Sequence, residues 1–464
     1  MTNKYLYLPL EIVIREHDGK ATLAHEAAMA GWTVVMGPKI PLYNVLDQLP
    51  EGVIFIKSAT PLELGQMKAL RRSGHRICSL DEEGVVTFRE FLGNNVRYSA
   101  DTVAEIDCVF FWGDEQQRVF NENYPAYSGR GCVSGSARFE FWRDYAADVY
   151  GATAEAYRKE YGNYILLPTS FGIGNNVMGG DMGLQLTKRH SGKLTKELVR
   201  FMEGQAEQNL VVFKEYLDFL PHIARAFPET NFVIRPHPSE AHDAWKNLAA
   251  DFPNLHLRYE GSVTPWILGA AAMFHFKSTT SVEAHIMGRK AITYVPPLPP
   301  YMDKYELELP MAVSRVARSR DALMQILRDV LKEERFVKPG AIDGVLGEWI
   351  SVDPGRSSAA RIVGKLEEYA PKPQRMWGAV EARKSFREKV ERGLSSLDKT
   401  SARAYLPGRI RARLDSLSYG AHKASGMDIS HTRKIIQTIG KKCGPDHVSV
   451  SALSEDVFVI KKDS

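Results

Sequence analysis

Two short segments in the second half of the chain carry residue types suited to binding a phosphate. In the segment Asn231–Glu240, His237 follows a run of β-branched and aromatic residues that is typical of a strand. The segment Lys277–Ala284 begins with a row of hydroxyl residues and continues with a helix-like pattern. Open parallel α/β sheets bind ligands outside the carboxyl ends of their strands, and helix starts offer N–H donors to anions. We therefore predict that both segments face one pocket for a phosphorylated nucleotide.

The first segment presents His237 on a stiff turn, because the prolines on both sides fix the backbone and remove local N–H donors. The imidazole can donate a hydrogen bond to a phosphate or ribose oxygen. Its neighbours Arg235 and Pro238 belong to the same predicted nucleotide site. A structural turn, with the ring packed on a neighbouring strand, is the alternative for this segment taken alone.

The hydroxyl row consists of Ser278, Thr279, Thr280 and Ser281. These residues can bind phosphate or cap the helix that follows, and the two roles are compatible because they use the same N–H groups. One helical turn further, Glu283 is a candidate for ribose binding or for a capping box. The sequence alone leaves both roles of Glu283 open.

Three consecutive carboxylates, Asp81, Glu82 and Glu83, follow a predicted strand in the first half of the chain. This position would lie across a cleft from the nucleotide site. We predict that one of these residues, Glu82 or Glu83 ahead of Asp81, is the general base that deprotonates an acceptor hydroxyl. An acidic, solvated turn is the alternative.

A second charged group follows the first predicted strand and comprises Glu11, Arg15, Asp18 and Lys20. Arg15 and Lys20 are predicted to bind a carboxylate or phosphate of the substrate. Glu11 or Asp18 is an alternative base or nucleophile, and salt bridges within the group are the structural alternative. Arg138, near the end of the first half, is a further candidate for the cleft.

These candidate residues are placed by a regular α/β alternation. Over residues 1–145, short apolar runs alternate with helical patterns, which predicts a parallel sheet with crossover helices. The predicted strands are Tyr5–Leu8 continuing to Ile14, Thr33–Met36, Val53–Ile56, Arg76–Leu80 and Val109–Trp112, and the predicted helices are Ala21–Ala30, Pro61–Ser73 and Glu115–Glu122. Pro9 is predicted to end or kink the first strand.

A second array of the same kind is predicted over residues 146–370. Its predicted elements are a helix at Ala146–Glu160, a strand at Tyr164–Pro168, a Gly- and Asn-rich loop at Thr169–Thr195, a helix at Gln205–Phe227, strands at Phe232–Arg235, His256–Arg258, Met273–Phe276 and Ala291–Val295, and helices from Thr264, Thr280 and Asp321. Two Rossmann-like domains that face a cleft form a GT-B architecture, which is the predicted fold. One large doubly wound sheet is the alternative.

The composition is that of an ordinary globular protein. The 464 residues are 44% hydrophobic and 25% charged, without a long apolar run or a signal-peptide pattern, which predicts a cytoplasmic location. The four cysteines are scattered and lack CxxC spacing, so neither a metal site nor a cofactor is predicted.

Residues 371–464 form a basic C-terminal extension, with 19 Lys and Arg against 10 Asp and Glu. Its end, Val448–Ile460, is β-like. The charge predicts peripheral contact with the anionic inner face of a membrane, with Arg403–Arg413 as the main candidate, and a solvated helical appendage is the alternative. The sequence contains no recognition motif for nucleic acid, so no specific nucleic-acid partner is predicted.

The candidate residues resemble motifs of known bacterial enzymes. His237-Pro238, the row at 278–281 and Glu82-Glu83-Gly84 are similar to three short motifs of bacterial sialyltransferases and polysialyltransferases. That resemblance implies a GT-B fold, a CMP-sialic acid type of donor held by the His-Pro and Ser/Thr motifs, and a base from the acidic motif. Capsule Kdo transferases and CDP-glycerol glycerophosphotransferases resemble the C-terminal half in a similar way.

A closer resemblance is to the bacterial surface carbohydrate biosynthesis proteins. It is carried by LPLEIVIREHDGK, SLDEEG, RPHP and STTSVEA, and it covers roughly residues 1–345. This resemblance implies the fold more than the sugar. Together with the sialyltransferase-like motifs and the lack of a DxD-centred metal cluster, it leads us to predict a metal-independent glycosyltransferase of surface polysaccharide synthesis that transfers an acidic sugar from a CMP-sugar donor to a glycan or lipid-linked acceptor. A CDP-dependent glycerophosphate or polyol-phosphate transferase, a sugar-nucleotide epimerase and a non-catalytic partner in polysaccharide assembly are the alternatives.

Overall fold

The computed structural model describes residues 3–82, 97–177, 179, 184–185, 195–305, 307–333, 344–378, 427–444 and 447–463. The strands of this part of the chain form two separate sheets, one of eight strands and one of six. Two mainly parallel sheets with crossover helices confirm the predicted GT-B-like α/β fold over the single doubly wound sheet.

The N-terminal part of the chain builds most of the first sheet. Its strands are β1 (Lys4–Leu10), β2 (Trp32–Pro38), β3 (Val53–Ile56), β4 (Arg76–Leu80), β5 (Cys108–Phe111) and β6 (Gly131–Val133). They are parallel and follow the order β2-β1-β3-β4-β5-β6. Helices bury the sheet, so its central strands are continuous apolar runs, which is why most of them were predictable.

The helices of this part are α1 (Val13–Met29), α2 (Lys39–Tyr43), α3 (Leu64–Arg72), α4 (Ala100–Ala104), α5 (Asp114–Asn123) and α6 (Ala137–Asp144), with short 3-10 turns at Leu46–Gln48, Pro61–Glu63 and Pro125–Arg130. Helix α1 begins well before the predicted start at Ala21, so the predicted continuation of the first strand to Ile14 is wrong. The strand also runs through Pro9 rather than ending there. Pro9 is tolerated because β3 pairs only with Leu6 and Tyr7, which leaves one side of β1 without ladder bonds at Pro9.

The second sheet has six parallel strands in the order β12-β11-β10-β7-β8-β9. They are β7 (Ile165–Pro168), β8 (Phe232–Arg235), β9 (Leu255–Leu257), β10 (Ala272–His275), β11 (Ala291–Tyr294) and β12 (Arg315–Ala317). The helices are α7 (Ala146–Tyr161), α8 (Lys196–Ala226), α9 (Asp243–Ala250), α10 (Thr264–Gly269), α11 (Thr280–Ile286), α12 (Glu308–Ala312) and α13 (Arg320–Lys332), with a 3-10 turn at Pro300–Tyr305. Helix α8 starts earlier than the predicted Gln205, because the side chain of Thr195 caps it by accepting from the Leu198 N–H.

In each sheet there is one strand at which the order of successive strands reverses, so that later strands lie on both sides of it. Strand β1 lies between β2 and β3, and strand β7 lies between β10 and β8. Open α/β sheets bind ligands beside such switch points, outside the carboxyl ends of the strands. The loops after β1 and β3, and those after β7, β8 and β10, are therefore the ones placed to meet a ligand.

The C-terminal part of the chain returns to the first sheet. Helices α14 (Gly344–Trp349) and α15 (Ser358–Leu366) lead through a 3-10 turn at Glu367–Tyr369 towards helix α16 (Ile429–Cys443) and strands β13 (Val448–Ala452) and β14 (Phe458–Lys462). Strand β14 pairs antiparallel with β2, which extends the sheet and confirms the predicted β-like end. The predicted membrane-contact segment Arg403–Arg413 lies outside the described residues. No helix in the described ranges is long and apolar enough to span a bilayer.

Candidate active site

A cavity of about 740 Å³ lies between the two sheets, and the loops at both switch points line it. The first sheet contributes Glu11, Ile12, Lys57 and Ser58, and the second contributes Thr169, Ser170, Pro236, His237, Lys277 and Ser278. The two segments that were predicted to hold a nucleotide therefore line one space.

His237 lines the cavity on the turn that follows β8. Its Nδ1 accepts a hydrogen bond from the backbone N–H of Ser239 at 3.2 Å and lies 2.7 Å from the Ser239 hydroxyl. A backbone N–H only donates, so the neutral ring carries its proton on Nε2. Gly172 lies so close that an added Cβ would be 1.9 Å from the Ser239 Oγ. The turn therefore fixes His237 as a donor.

Glu240 holds this turn against the loop that follows β7. One carboxylate oxygen accepts from the Thr169 hydroxyl at 2.7 Å and from the N–H groups of Phe171 and His237 at 2.9 and 3.1 Å. The other oxygen accepts from the Trp245 indole at 3.0 Å. Burial raises the pKa of Glu240, although these hydrogen bonds oppose the increase. Sequence reasoning missed Glu240, and its position directly after the His-Pro segment was the available signal.

Arg235 fastens a third loop of the same wall. Its guanidinium donates to the carbonyls of Glu260 and Gly261 at 3.1 and 2.8 Å and lies over the Trp266 ring at 5.4 Å. Burial lowers the pKa of Arg235 to about 10. Arg235 and Pro238 both line the cavity, as does Gly261. The arrangement shows Arg235 shaping the wall by holding backbone carbonyls.

Lys277, at the end of β10, was not among the predicted site residues. It is buried, lines the cavity and has a left-handed backbone with φ of 50°. Its ammonium donates to the Gln208 side chain at 2.6 Å and to the Tyr305 carbonyl. A non-glycine residue with positive φ is uncommon and is typical of turns and functional sites. Its position immediately before the hydroxyl row was the signal that sequence reasoning did not use.

Three members of the hydroxyl row line the cavity and the fourth does not. Ser278, Thr279 and Thr280 line the cavity, whereas Ser281 is fully buried and donates to the Ser278 carbonyl at 2.8 Å. The Ser278 N–H donates to His275 Nδ1 at 3.1 Å, so that N–H is already used. The hydroxyl groups of the lining residues, rather than the Ser278 backbone, are therefore the groups offered to a ligand.

Arg138 and Glu283 line the cavity from opposite halves of the chain. The Arg138 Nη2 lies 3.2 Å from the Glu283 carboxylate, and Nη1 donates to the Glu82 carbonyl at 3.2 Å. Burial raises the pKa of Glu283, while Arg138 and Arg15 oppose the increase. Arg138 thus lies in the cleft as predicted, and its partner Glu283 is engaged in an ion pair between the halves.

The described members of the predicted acidic motif, Asp81 and Glu82, do not line the cavity. Glu82 is buried with its carboxylate 3.1 Å from the Lys20 ammonium, which also lies over the Phe55 ring at 4.4 Å. Asp81 pairs with Arg97 at 3.3 Å. None of Asp81, Glu82 and Lys20 is among the residues that line the cavity, and Glu83 lies outside the described residues. Their catalytic and substrate-binding roles stay predictions.

The acidic side chains that line the cavity, within the described residues, are Glu11, Asp18, Glu63 and Glu283. Glu11 lies at the end of β1 with its carboxylate 3.3 Å from the Lys57 ammonium. The same ammonium is 3.2 Å from the Glu16 carboxylate. Glu16 also accepts hydrogen bonds from the Glu11 and Ile12 N–H groups and thereby caps the start of α1. Arg15 lines the cavity one turn into this helix.

Asp18 is the most heavily bonded carboxylate of the cavity wall. It accepts from the Tyr150 hydroxyl at 2.7 Å and lies 3.2 Å from His17 Nδ1 and 3.3 Å from His431 Nε2. Burial alone would raise the pKa of Asp18, but the hydrogen bonds and charges of His17 and His431 outweigh it and hold the pKa well below its usual value. His431 comes from α16, so the C-terminal segment reaches the cleft.

Comparison with known proteins finds solved structures of weak similarity and assigns no reaction. No protein-family model and no curated protein matches the chain. Among solved structures, the UDP-GlcNAc 2-epimerase of Methanocaldococcus jannaschii, in complex with UDP-GlcNAc and UDP, is 11% identical, with 79% of this chain and 100% of that chain covered and a TM-score of 0.45. The UDP-GlcNAc 2-epimerase from Neisseria meningitidis, bound to UDP-GlcNAc, has the same identity and coverage and a TM-score of 0.47. The wall teichoic acid polymerase TagF is 11% identical, with 79% and 88% covered and a TM-score of 0.46. These values are too low to transfer a ligand or a reaction to this chain.

Proposed function

We propose that this chain is a glycosyltransferase of surface polysaccharide synthesis that transfers an acidic sugar from a cytidine-activated donor, of the CMP-ulosonic acid type, to a glycan or lipid-linked acceptor. One observation carries the proposal. The loops after β8 and β10, with the His-Pro segment and the hydroxyl row, line a single cavity opposite the loops after β1 and β3. Facing switch points are where a two-sheet α/β protein binds a ligand.

The second half of the chain would hold the nucleotide. His237 donates from Nε2, Ser278 and Thr279 offer hydroxyls, and Lys277 adds positive charge to the same wall. These groups suit one phosphate that gains negative charge as the sugar leaves. Preorganised donors in a partly buried wall stabilise that charge more than water does, because they need no reorientation during the reaction. The proposed donor therefore carries a single phosphate.

The first half would bind the transferred sugar and the acceptor. Arg15 lines the cavity and is the cation that we assign to the carboxylate of an acidic sugar. Lys20, the second predicted candidate, is committed to Glu82 and is buried. Arg15 is therefore preferred.

For the general base we prefer Glu11 among the described carboxylates. Its side chain is 36% exposed and lines the cavity, whereas the Glu82 side chain is buried and does not line the cavity. Asp18 is a poor proton acceptor because its pKa is far below the usual value. Glu83, outside the described residues, stays the alternative from the acidic motif.

A thermal-shift series with CMP, CDP, UDP and GDP tests the proposal. CMP is expected to stabilise the chain most, since a ligand at 100 times its dissociation constant adds about 2.7 kcal/mol. His237→Ala should remove most of that shift and reduce transfer from a CMP-sugar, while His222→Ala, on an exposed part of α8, should change neither.

Other outcomes of the same series contradict the proposed donor. A dominant shift with CDP, and turnover of a CDP-polyol, would favour the phosphopolyol transferase. A shift with UDP, and conversion of a UDP-sugar without an acceptor, would favour an epimerase. Binding without turnover of any donor, unchanged by Glu11→Gln or Glu83→Gln, would favour a non-catalytic partner.

The basic C-terminal extension, residues 371–464, would bring the enzyme to its acceptor at an anionic membrane surface. Residues 427–444 and 447–463 pack on the first sheet, so removal of everything after 370 would also remove β14 from beside β2. Charge reversal of Arg409, Arg411 and Arg413 to Glu in the full chain tests the membrane role without removing β14. Co-sedimentation with anionic vesicles should fall, because each basic residue near such a surface contributes about 1 kcal/mol. Equal binding by both proteins would contradict the membrane role.

A further inference from the structure

Two histidines and a carboxylate, from opposite ends of the chain, meet at the edge of the cavity. His17 and Asp18 lie on α1, and His431 lies on α16. Their potential ligand atoms all lie within 4.8 Å of one another. His17 is buried, while the side chains of Asp18 and His431 are 14% and 31% exposed, so solvent reaches the group. Neither the fold nor the proposed transfer reaction uses these histidines.

The hydrogen bonds around His17 leave a lone pair facing a carboxylate. Thr432 has one hydroxyl proton and contacts both the Asp428 carbonyl, at 3.0 Å, and His17 Nε2, at 2.8 Å. A carbonyl only accepts, so both contacts are satisfied when Thr432 donates to Asp428 and accepts from His17 Nε2–H. In a neutral ring, Nδ1 then carries a lone pair, and it lies 3.2 Å from an Asp18 oxygen. In this tautomer the two acceptors need a proton on the ring or a cation between them, whereas in the other neutral tautomer Thr432 donates to Nε2 and Nδ1–H donates to Asp18.

Two of the three distances between the potential ligand atoms are close to those expected around a metal ion, and the third is within 4.8 Å. The same Asp18 oxygen lies 3.2 Å from His17 Nδ1 and 3.3 Å from His431 Nε2. In a tetrahedral site with bonds of about 2.0–2.1 Å, adjacent ligand atoms are about 3.3–3.4 Å apart. The second oxygen of Asp18 accepts from the Tyr150 hydroxyl at 2.7 Å, and the same hydroxyl lies 3.0 Å from His431 Nε2. Metal sites commonly hold their histidines and carboxylates by such outer hydrogen bonds, here from Thr432 and Tyr150.

We propose that His17, Asp18 and His431 bind one divalent transition-metal ion of the Zn²⁺ type. Two imidazoles and a carboxylate are ligands that such ions prefer. Three protein ligands leave a position for water or a substrate oxygen, as in sites that take part in chemistry. The ion would also tie α16 to α1, so the C-terminal segment would complete the cleft. The proposed ion differs from the sequence-based prediction of a metal-independent enzyme.

Metal titration of the full-length chain tests this proposal. Protein freed of metal with a chelator is titrated with Zn²⁺ in competition with a chromophoric chelator, and one ion per chain is expected. Asp18→Asn and His431→Ala should abolish this binding. Thr432→Val, which removes only the outer hydrogen bond, should weaken it by about 10–100-fold and keep the stoichiometry. Co²⁺ should give the intense visible absorption of a four-coordinate site, and Asp18→Asn should remove it.

Three controls separate this site from adventitious binding and from misfolding. Cys443→Ser tests the exposed thiol, and His222→Ala tests an exposed imidazole; both should bind one ion. Circular dichroism and thermal unfolding in chelator should be alike for the wild type and Thr432→Val. Absence of binding in the wild type, or one ion retained in both Asp18→Asn and His431→Ala, would overturn the proposal. Nucleotide shifts are measured on separate samples, so failure of the metal site and failure of the transferase proposal are distinguishable.

Discussion

The Arg138 guanidinium lies 3.2 Å from the Glu283 carboxylate and joins the two halves of the chain at the wall of the cavity. Arg138 belongs to α6, beside the first sheet, and Glu283 belongs to α11, beside the second. Both side chains are buried, with 8% and 7% of their surfaces exposed. A pair in this position links the wall that carries His237 to the wall that carries Arg15.

Removal of one member of this pair should destabilise the chain. Glu283→Leu leaves a buried guanidinium without its partner, which typically costs about 3–5 kcal/mol. The double variant Arg138→Met, Glu283→Leu should recover much of the loss, because two apolar side chains leave no unpaired charge. Urea unfolding followed by fluorescence measures both. Glu122→Gln, in an exposed pair with Arg118, is the control and should change the midpoint little. Equal midpoints for Glu283→Leu and the wild type would show that the pair does not hold the halves together.

The turn of His237 should be sensitive to one added methyl group. An Ala side chain at 172 would place Cβ 1.9 Å from the Ser239 Oγ and 3.6 Å from the His237 ring. Gly172→Ala should therefore displace the turn and weaken CMP binding in calorimetry, with a smaller effect on overall unfolding. The variant Gly172→Ala, Ser239→Ala should recover part of the affinity. Gly151→Ala is the matched control, since no atom lies within 4 Å of its added Cβ. Unchanged CMP affinity in Gly172→Ala would remove this turn from the binding site.

Sequence patterns were sufficient for most strands because buried parallel strands are short apolar runs between turn residues. The three-residue strands Gly131–Val133 and Arg315–Ala317 were not predicted, because most of their residues are not buried. Val53–Ile56 and Phe232–Arg235 were predicted at their observed bounds. The patterns failed at the start of α1, where Glu16, His17 and Lys20 are buried on a helix that carries no simple apolar stripe there. Burial of those charges depends on partners from other elements, which no local pattern can indicate.

The candidate site also contains some residues that the sequence predicted and others that depend on partners from distant elements. His237 and the hydroxyl row were found because they directly follow strands, and strand ends meet at one edge of a parallel sheet. Glu82 also follows a strand, yet its carboxylate pairs with the buried Lys20 ammonium and does not line the cavity. His431 was missed because it is more than 400 residues from Asp18 in the chain, and only the packing of α16 on α1 brings them together.

The identity of the general base can be tested by separating rate from stability. Glu11→Gln should lower kcat by about 10²–10⁴-fold while the affinity for CMP stays close to that of the wild type. Glu82→Gln should instead lower the unfolding midpoint, because it leaves the buried Lys20 ammonium without its charged partner. The opposite result would favour the acidic motif as the source of the base. In that case Glu82→Gln would lower kcat with a normal unfolding midpoint, and Glu11→Gln would have a normal kcat.

Stability should fall at mildly acidic pH through His275. This ring lies between the Ser278 N–H, from which Nδ1 accepts at 3.1 Å, and the Ser314 hydroxyl, 2.9 Å from Nε2. Burial lowers the pKa of His275 from 6.5 to about 3. Between these values the unfolded chain takes up a proton that the folded chain does not, so the free energy of unfolding falls as the pH drops. The slope from this one group is at most about 1.4 kcal/mol per pH unit.

His275→Gln keeps an acceptor and a donor but does not titrate. Its unfolding midpoint should therefore depend less on pH between 6.5 and 3 than that of the wild type, with His222→Gln as the exposed control. The profile should be flatter rather than flat, because burial also lowers the pKa of His75, to about 4. Protonation of His275 in the folded chain would break its bond to the Ser278 N–H and disturb the hydroxyl row, so CMP affinity should decline only as the pH approaches 3. Identical pH profiles for His275→Gln and the wild type would contradict this account.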